Sequence, residues 1–431
     1  MECTIEIHLD GRWVKAGIFE PDAASIERGI AGGGRFDYDI DYVVANMGKG
    51  ARFQTGCRYP VDFELHREPH WPAFLLDLLP TGAGRRVWVR RLGLRDNEKA
   101  DWKLLLHAGG NPPGNLRIAE ATLMPTLTHP GFDKSEIVSR HEDFIEYAEK
   151  HGAIVAGATD VQGDAPKFLL TQDRNGRWHA DGALPDHEAT RFWLVKFPRG
   201  KSEQDRAVLR NEAPYYEVAR WFGIRTGAAL ELVDDALFIP RFDRYATDSG
   251  VDRHGLETLA AAAGMAGFGK RGAHLTFCET IARFTTSPEE EILEYLRRDI
   301  LNTALRNTDN HGRNTALTKY PDGRVILSPL YDFAPMFLDP EGIPRASRWD
   351  GDLEPEPGRP DWGRVAEALA RHFKEGTRKV YASLAEMAVS VPMLPEVMRR
   401  CGVEDLVIER LDDRIRQVGE DLAAACRQGG T

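Results

Sequence analysis

The sequence predicts an α+β fold in which strand-rich segments come first and a mostly helical segment follows. Residues 4–9 alternate apolar and polar side chains, turn at Asp10-Gly11 and continue into a second strand, which is the pattern of a β-hairpin. Further strand-like runs lie between residues 152 and 197. From residue 246 onward apolar residues recur at helical spacing, most clearly over 292–305.

Composition and charge exclude some of the functional classes to which the protein could belong. The chain has 431 residues, of which 42% are hydrophobic and 29% charged, so it is long enough for two or three folded domains of ordinary composition. No apolar run approaches the length that crosses a bilayer, and the first residues lack the pattern of a secretory leader. The formal net charge of −11 argues against broad coating of nucleic acid, because such binding requires accumulated Lys and Arg.

The cysteines indicate the compartment. There are five, scattered along the chain with no CxxC pair, so they suit neither a disulfide framework nor a zinc site and favour a reducing environment. We therefore expect a cytoplasmic protein that does not associate with membranes.

Three segments are predicted. The strand-rich segment 1–125 ends near a turn at 111–114 and a proline-bounded stretch with little regular structure. The segment 150–245 contains the further strands, and 246–431 is mostly helical. A basic helix is predicted at 84–95, where a solvated helix face is favoured over a docking face for an acidic partner or DNA.

The polar loop 307–314, Asn-Thr-Asp-Asn-His-Gly-Arg-Asn, carries the strongest chemical signal. Residues of these types are common in turns, so the loop alone indicates little. Asp309 and Asn314 lie five residues apart, however, and Asp332 follows a predicted hairpin. One carboxylate to orient a hydroxyl, with an amide and a second carboxylate for Mg²⁺, is the equipment of phosphoryl transfer, and protein kinases use the same spacing. Asp332-Phe333-Ala334 differs by one residue from the Asp-Phe-Gly of kinases.

Candidate nucleotide-binding segments precede this loop. The small-residue segment 161–167 has backbone N–H groups that can face phosphate, and it leads into a strand bearing Lys167. This signal is weak alone, because glycine-containing loops are common. Lys196 lies inside an apolar strand, where its ammonium group loses hydration unless it meets an anion or points to water at a sheet edge. The strand 236–244 runs into a linker of the kind that contacts adenine in two-lobed kinases.

With these motifs assembled, the chain resembles the HipA family, the kinase toxins of bacterial toxin–antitoxin pairs. The likeness covers most of the chain, and it rests on seven short motifs in the family's order: 78–82, 163–167, 195–198, 211–212, 241–244, 307–314 and 331–332. The resemblance implies a two-lobed, protein-kinase-like (HipA-like) α+β fold with a strand-rich N-terminal subdomain and a mostly helical C-terminal lobe.

The resemblance also implies roles for residues of this sequence. Asp309 would be the catalytic base with His311 close to the transferred group, and Asn314 and Asp332 would bind Mg²⁺. Lys196 would bind the phosphates of ATP. The glycine loop and the hinge would supply the remaining nucleotide contacts: Val161, Gly163 and Lys167 in the loop, and Pro240, Arg241 and Phe242 in the hinge.

The family's partners and regulation are implied in the same way. Its members phosphorylate Ser or Thr of a protein, notably an aminoacyl-tRNA synthetase, and are restrained by a helix-turn-helix antitoxin (HipB-like) that carries most of the binding to operator DNA. Two positions depart from the family pattern: Ala165 replaces the usual Gln of the glycine loop, and Asp160 stands where many members autophosphorylate a serine. Thr159 is the nearby hydroxyl, so Thr159 and Asp160 are the predicted regulatory positions, and restraint by the partner is expected.

The leading interpretation is an Mg·ATP-dependent protein serine/threonine kinase that acts as a toxin. Two alternatives stay open. One is a small-molecule phosphotransferase, because aminoglycoside-type enzymes share the Asp-x-x-x-x-Asn arrangement. The other is a non-catalytic nucleotide-binding regulator that acts through its antitoxin. All three would bind ATP, and they differ in where labelled phosphate appears.

Overall fold

A computed structural model of the chain describes residues 1–122, 129–140, 142–151, 154–155, 166–248 and 250–429. The chain divides into two units that alternate along the sequence. The first unit is formed by Met1–Gly200, Glu231–Lys270 and Leu317–Arg324, and the second by Lys201–Leu230, Arg271–Ala316 and Val325–Thr431. The three ranges predicted from the sequence stay a prediction, because compactness alone does not test where a domain begins.

The N-terminal part of the first unit contains a five-stranded antiparallel sheet and three helices: β1 Cys3–Leu9, β2 Arg12–Pro21, β3 Gly34–Tyr38, α1 Ile40–Asn46, β4 His66–Glu68, α2 Gly82–Arg91, α3 Asp101–Ala108 and β5 Leu116–Ile118. The strand order is β4-β3-β2-β1-β5. The predicted hairpin is confirmed, since Leu9 pairs with Arg12 across a turn in which Asp10 and Gly11 have φ of 50° and 77°, as tight hairpin turns require. The core of this part is rich in aromatic residues, including Phe19, Phe36, Trp71 and Phe74.

The basic helix predicted at 84–95 is α2, which begins and ends earlier. Arg85 does not belong to a solvated face, because its guanidinium group pairs with Asp96 and Asp101 at N–O distances of 2.7 Å. These carboxylates lie in the following turn and at the start of α3, positions that helical periodicity does not relate to Arg85.

A second sheet follows in the first unit. The next elements along the chain are α4 Lys134–Val138, α5 Glu142–Lys150, β6 Ile154–Val155, β7 Lys167–Gln172, β8 Trp178–Ala180, β9 Arg191–Lys196, α6 Glu203–Trp221, β10 Glu231–Val233 and β11 Ala236–Pro240. Of these, helix α6 belongs to the second unit. The strand order is β10-β11-β9-β7-β6, and β8 pairs with β7. A turn at Asn175-Gly176 joins β7 to β8, and the Asp173 carboxylate accepts from the backbone N–H groups of Asn175 and Arg177, both at 2.8 Å.

The predicted helical segment from residue 246 needs one correction, because strands come first. These are β12 Arg244–Thr247, β13 Gly250–Arg253 and β14 Gly255–Thr258, followed by the short helix α7 Leu259–Ala262. In β14 the buried positions are Gly255 and Glu257, and Glu257 lies 3.2 Å from the buried Lys319 ammonium group. Because the buried face carries a glycine and a charged residue, the sequence lacks the alternation of apolar and polar residues that predicts a strand.

The chain then supplies the elements that build the candidate site: β15 Gly272–Ala273, α8 His274–Phe284, α9 Pro288–Ala304, β16 Ala316–Lys319, β17 Val325–Leu327 and β18 Ser347–Arg348. The helix predicted over 292–305 is confirmed as α9, which opens with Pro288 and three glutamates, residues that suit a helix N-terminus. The predicted hairpin is also confirmed. Tyr320 N donates to Arg324 O at 2.8 Å across the turn, and Ser328 N donates to Ala316 O at 2.8 Å.

The C-terminal part of the second unit is helical: α10 Trp362–Leu369, α11 Thr377–Ser390, α12 Leu394–Cys401 and α13 Asp405–Gly429. The three shorter helices pack against α13, whose buried residues include Leu411, Ile415 and Leu422. Helix α12 ends where Gly402 adopts φ 86°, a conformation that glycine tolerates without strain. No helix in the described part of the chain is both long and apolar enough to cross a membrane.

Candidate active site

The 307–314 loop leaves helix α9 in a fixed direction. Arg306 adopts φ 50°, and the Asn307 N–H donates to Asn302 O at 3.0 Å, which is the pattern of a Schellman helix end. The Asn307 side chain repeats this contact, because its Nδ2 donates to Asn302 Oδ1 at 3.0 Å. The loop therefore starts from a rigid, hydrogen-bonded helix end.

Within the loop, Asp309 and Asn314 are brought together. The Asn314 Nδ2 donates to the backbone oxygen of Asp309 at 2.8 Å, and the Asn314 N–H donates to His311 O at 2.9 Å. Asp309 and Asn314 are each 7% exposed. The five-residue spacing thus closes a compact turn in which both side chains line one pocket.

The neighbours of His311 define its tautomer. Its Nδ1 accepts a hydrogen bond from the Arg313 N–H at 3.2 Å, so a neutral ring carries its proton on Nε2. That Nε2 lies 3.4 Å from Asp309 Oδ1, but it is buried without a properly directed hydrogen bond among the described residues. A proton donor therefore stands beside the candidate base.

Asp332 reaches the same pocket from the end of the β16–β17 hairpin. The preceding chain is held in place: Arg298 Nη2 donates to Ser328 O at 2.7 Å, and the Tyr331 hydroxyl donates to Arg313 O at 2.7 Å. Asp332 itself adopts φ 55°, a left-handed conformation that non-glycine residues rarely adopt and that persists only where the surroundings impose it. Strain of this kind is frequent at functional sites.

These groups line one pocket together with Asn302 and Asn307, and its oxygen donors fit Mg²⁺. Asn314 Oδ1 is buried and has no hydrogen-bond partner among the described residues, while the Asp332 carboxylate lines the same space. No group of three or more His, Cys, Asp or Glu side chains in the described ranges is arranged to hold a metal. One carboxylate and one amide oxygen suit a cation that completes its shell with phosphate and water, as Mg²⁺ does.

In the first unit, the structure brings Lys167 and Lys196 together. They face each other directly in the antiparallel pairing of β7 with β9, so their Cβ atoms are about 5 Å apart on one face of the sheet. Both side chains are buried. Like charges in such positions repel each other, and this concentration of positive charge is favourable for phosphate.

The three residues of the predicted hinge are placed differently in the structure. Pro240 ends β11 opposite Trp193, and Phe242 O accepts from His254 Nδ1 at 3.2 Å. The Arg241 N–H donates to Phe192 O at 2.9 Å, and its guanidinium group turns into the protein interior. A nucleotide contact by Arg241 would therefore have to use its backbone carbonyl.

The Arg241 side chain belongs to a buried cluster that sequence reasoning missed, the arginine–aspartate cluster of Asp181, Arg241, Asp243 and Arg244. Arg241 donates to Asp181 at 2.6 Å and to both Asp243 oxygens at 2.8 and 2.5 Å, and Arg244 donates to Asp181 at 2.8 Å. Burial alone would raise the pKa of Asp243, but the two guanidinium groups hold it far below its usual range. The only sequence signal was the charged motif 241–244.

A second buried network lies beside the 307–314 loop and was also missed. Arg345 donates to both oxygens of Asp299 at 2.7 and 2.9 Å, and the Trp349 indole donates to Asp299 Oδ2 at 2.8 Å. Burial lowers the pKa of His274 to about 4; Asp299 opposes this shift and Arg345 reinforces it. Burial alone would raise the pKa of Asp299, but Arg345 and His274 keep it below its usual range.

The remaining predicted residues fall where no structure is described. Val161, Gly163, Thr159 and Asp160 lie in 156–165, outside the described residues. Their roles stay predictions from the sequence.

Comparison with known proteins decides the family. The family model described as HipA-like C-terminal domain matches residues 159–396, and that of the HipA N-terminal domain matches residues 20–119. The chain belongs to the HipA family. It is 26% identical over 282 residues to "Putative kinase Y4dM" of Sinorhizobium fredii, a match that spans 61% of this HipA-family chain and 61% of that protein.

A solved structure shows the fold. The Shewanella oneidensis MR-1 toxin–antitoxin complex of HipA, HipB and operator DNA contains a chain with a TM-score of 0.66 and 18% identity, and the match covers 99% of this chain and 97% of that one. The predicted HipA-like α+β fold is therefore confirmed.

Proposed function

We propose that this HipA-family chain is an Mg·ATP-dependent protein serine/threonine kinase that acts as the toxin of a bacterial toxin–antitoxin pair. The observation that carries the proposal is the pocket shared by Asp309, Asn314 and Asp332, in which the buried Asn314 Oδ1 has no hydrogen-bond partner within the described ranges. A buried acceptor without a donor is unfavourable, and a cation held there would remove that penalty.

The residues divide the work of phosphoryl transfer. The substrate hydroxyl oxygen would form a bond to the γ-phosphorus of ATP while the bond to the β,γ-bridging oxygen breaks and ADP leaves. The Asp309 carboxylate would orient that hydroxyl and accept its proton, and the His311 Nε2–H beside it would face the transferred group. Asn314 and Asp332 would hold Mg²⁺, which supplies positive charge to the phosphate oxygens when bound. Lys196 and Lys167 would hold the nucleotide phosphates.

A partner is proposed from the structural comparison and the net charge of the chain. The Shewanella HipA structure is a complex with HipB and operator DNA, which supports a helix-turn-helix, HipB-like antitoxin as the partner of this chain. The formal net charge of −11 opposes tight DNA binding by the chain alone, so operator DNA would be contacted through the antitoxin. We further propose a cytoplasmic protein substrate such as an aminoacyl-tRNA synthetase, and regulation through the antitoxin rather than through residue 160.

Labelled ATP tests the proposal and separates it from the alternatives. The purified chain would be incubated with γ-labelled ATP, Mg²⁺ and a bacterial lysate, and the label would be followed into protein and into small molecules. We expect label on protein serine or threonine, and its loss when EDTA removes the metal. Label in a small molecule would establish the phosphotransferase alternative, and no transferred label would favour the non-catalytic regulator.

A further inference from the structure

Asn310, between the candidate base and His311, makes three hydrogen bonds to a distant segment of the second unit. Its Oδ1 accepts from the backbone N–H groups of Ala346 at 3.1 Å and Ser347 at 3.0 Å. Its Nδ2 donates to Ser347 O at 3.3 Å. Because two backbone donors converge on one side-chain atom, that atom must be the amide oxygen. We call this set of contacts the Asn310 clamp.

The segment that the clamp holds is itself fixed. Ser347 and Arg348 pair as a parallel strand with Gly272 and Ala273. Arg345, two residues earlier, donates to Ser347 O at 3.1 Å and to the Thr303 hydroxyl of α9 at 2.6 Å, in addition to its bonds to Asp299. The clamp therefore ties the 307–314 loop to a buried, charged anchor and not to a mobile chain.

The loop also contacts this segment through its backbone. The Ala346 N–H lies 3.3 Å from Thr308 O and also donates to Asn310 Oδ1, so the residues on both sides of Asp309 are bonded to Ala346. Asn314 holds the Asp309 carbonyl from the other side at 2.8 Å. Two asparagine side chains thus fix the backbone from which the Asp309 carboxylate projects.

We propose that Asn310 is a positioning residue that directs the Asp309 carboxylate through the clamp, an inference that rests on the proposed function. Asn310 need not touch the substrate for this role. Because phosphoryl transfer depends on the alignment of the attacking oxygen, displacement of the base by about 1 Å can lower the rate by about 100-fold. Nucleotide affinity should be spared, because Asn314 and Asp332 keep their own contacts when the clamp is removed.

Asn310→Ala tests the proposal by separating turnover from binding. We expect kcat to fall about tenfold or more while KM for ATP and the Kd for Mg·ATP change less than about twofold. Hydrogen exchange at the Ala346 and Ser347 amides should accelerate, whereas the Leu330 amide, which donates to Arg225 O at 2.8 Å, should be unaffected. Unchanged kcat in Asn310→Ala would overturn the proposal, and so would a parallel loss of kcat and Mg·ATP binding.

Two further variants complete the experiment. Asn310→Asp keeps an acceptor for both N–H groups but places an oxygen against Ser347 O, so its kcat should lie between those of the parent and Asn310→Ala. If the alanine variant does not fold, Asn310→Asp replaces it in the test. A parental kcat in Asn310→Asp would then refute the proposal. Asn175→Ala, at an exposed turn, is the matched control and should behave like the parent. A parent that transfers no phosphate would contradict the proposed function, whereas a parent that transfers and an equally active Asn310→Ala would contradict only the role of Asn310.

Discussion

The arginine–aspartate cluster and the 307–314 loop are both dense, buried and polar, but they satisfy their polar atoms differently. In the cluster every guanidinium nitrogen of Arg241 and Arg244 donates a hydrogen bond. In the loop, the buried polar atoms without a hydrogen-bond partner among the described residues include Asn307 Oδ1, Thr308 Oγ1, His311 Nε2 and Asn314 Oδ1.

This difference separates a structural polar cluster from a site prepared for ligands. Burial of polar groups is unfavourable unless they are hydrogen-bonded, so a cluster that serves only stability closes its contacts internally. The arginine–aspartate cluster does so, and it bonds the turn at 112–114 to the strand end, through Arg244 to Pro112 O and through Asp243 to Gly114 N, both at 2.8 Å. The loop keeps acceptors and a donor available, which is what binding of metal and phosphate requires.

The largest effect is expected from a substitution in the 307–314 loop, and it should fall on catalysis. Asp309→Asn should lower phosphate transfer by about 10³-fold or more, because it removes the proposed general base, while ATP binding and the fold are retained. The fold should survive because Asn314 bonds the Asp309 backbone oxygen, not its carboxylate. Transfer rates and the midpoint of urea unfolding would be measured together, and transfer at the parental rate would show that the role of the loop is wrongly assigned.

Asp243→Asn should have the opposite effect, lowering stability without changing catalysis by the folded protein. Loss of one charge leaves Arg241 and Arg244 buried with an incomplete counter-charge, which destabilises proteins by about 3–5 kcal/mol, so the free energy of unfolding should drop while the chemistry of residual folded protein is unchanged. Urea unfolding provides the measurement.

Glu27→Gln is the matched acid-to-amide control in the same unit. Glu27 pairs with Lys99 at 3.0 Å, but the two side chains are 74% and 60% exposed, and such pairs contribute less than about 1 kcal/mol. If Asp243→Asn proves as mild as Glu27→Gln, the structural interpretation of the arginine–aspartate cluster is wrong.

A smaller effect should appear in the pH dependence of stability, through His274. Its folded pKa of about 4 lies below the ordinary value of 6.5, so the unfolded state takes up a proton first as the pH falls. The stability that neutral His274 provides is present above pH about 6.5 and is lost progressively toward pH about 4, by at most about 1.4 kcal/mol per pH unit.

Thermal unfolding between pH 7 and pH 4 would measure this contribution. His274→Gln should give a shallower decline than the parent, whereas His187→Gln, at a side chain that is 70% exposed, should keep the parental slope. Equal slopes for the parent and His274→Gln would refute the assignment of this titration to His274.

The sequence alone was informative wherever the signal is local. The helical spacing of 292–305, the turn residues of the hairpins and the five-residue spacing of Asp309 and Asn314 all concern neighbours in the chain, and the observed α9, hairpins and loop agree with them. The α+β class followed from the same local patterns. The strand β14 escaped detection because its buried face carries Gly255 and Glu257, so its alternation was lost.

Only the tertiary structure decided which charges and amides meet. Arg241 and Asp181 are 60 residues apart, and Asn310 and Ser347 are 37 residues apart, separations over which no periodicity relates two side chains. A sequence shows that a polar residue is present, but whether it turns inward to a partner or faces a ligand depends on which distant backbone the fold brings beside it. Arg241, predicted at the hinge, therefore proved to be a member of a buried cluster. Asn310, which carried no sequence signal of its own, proved to bond the loop to Ala346 and Ser347.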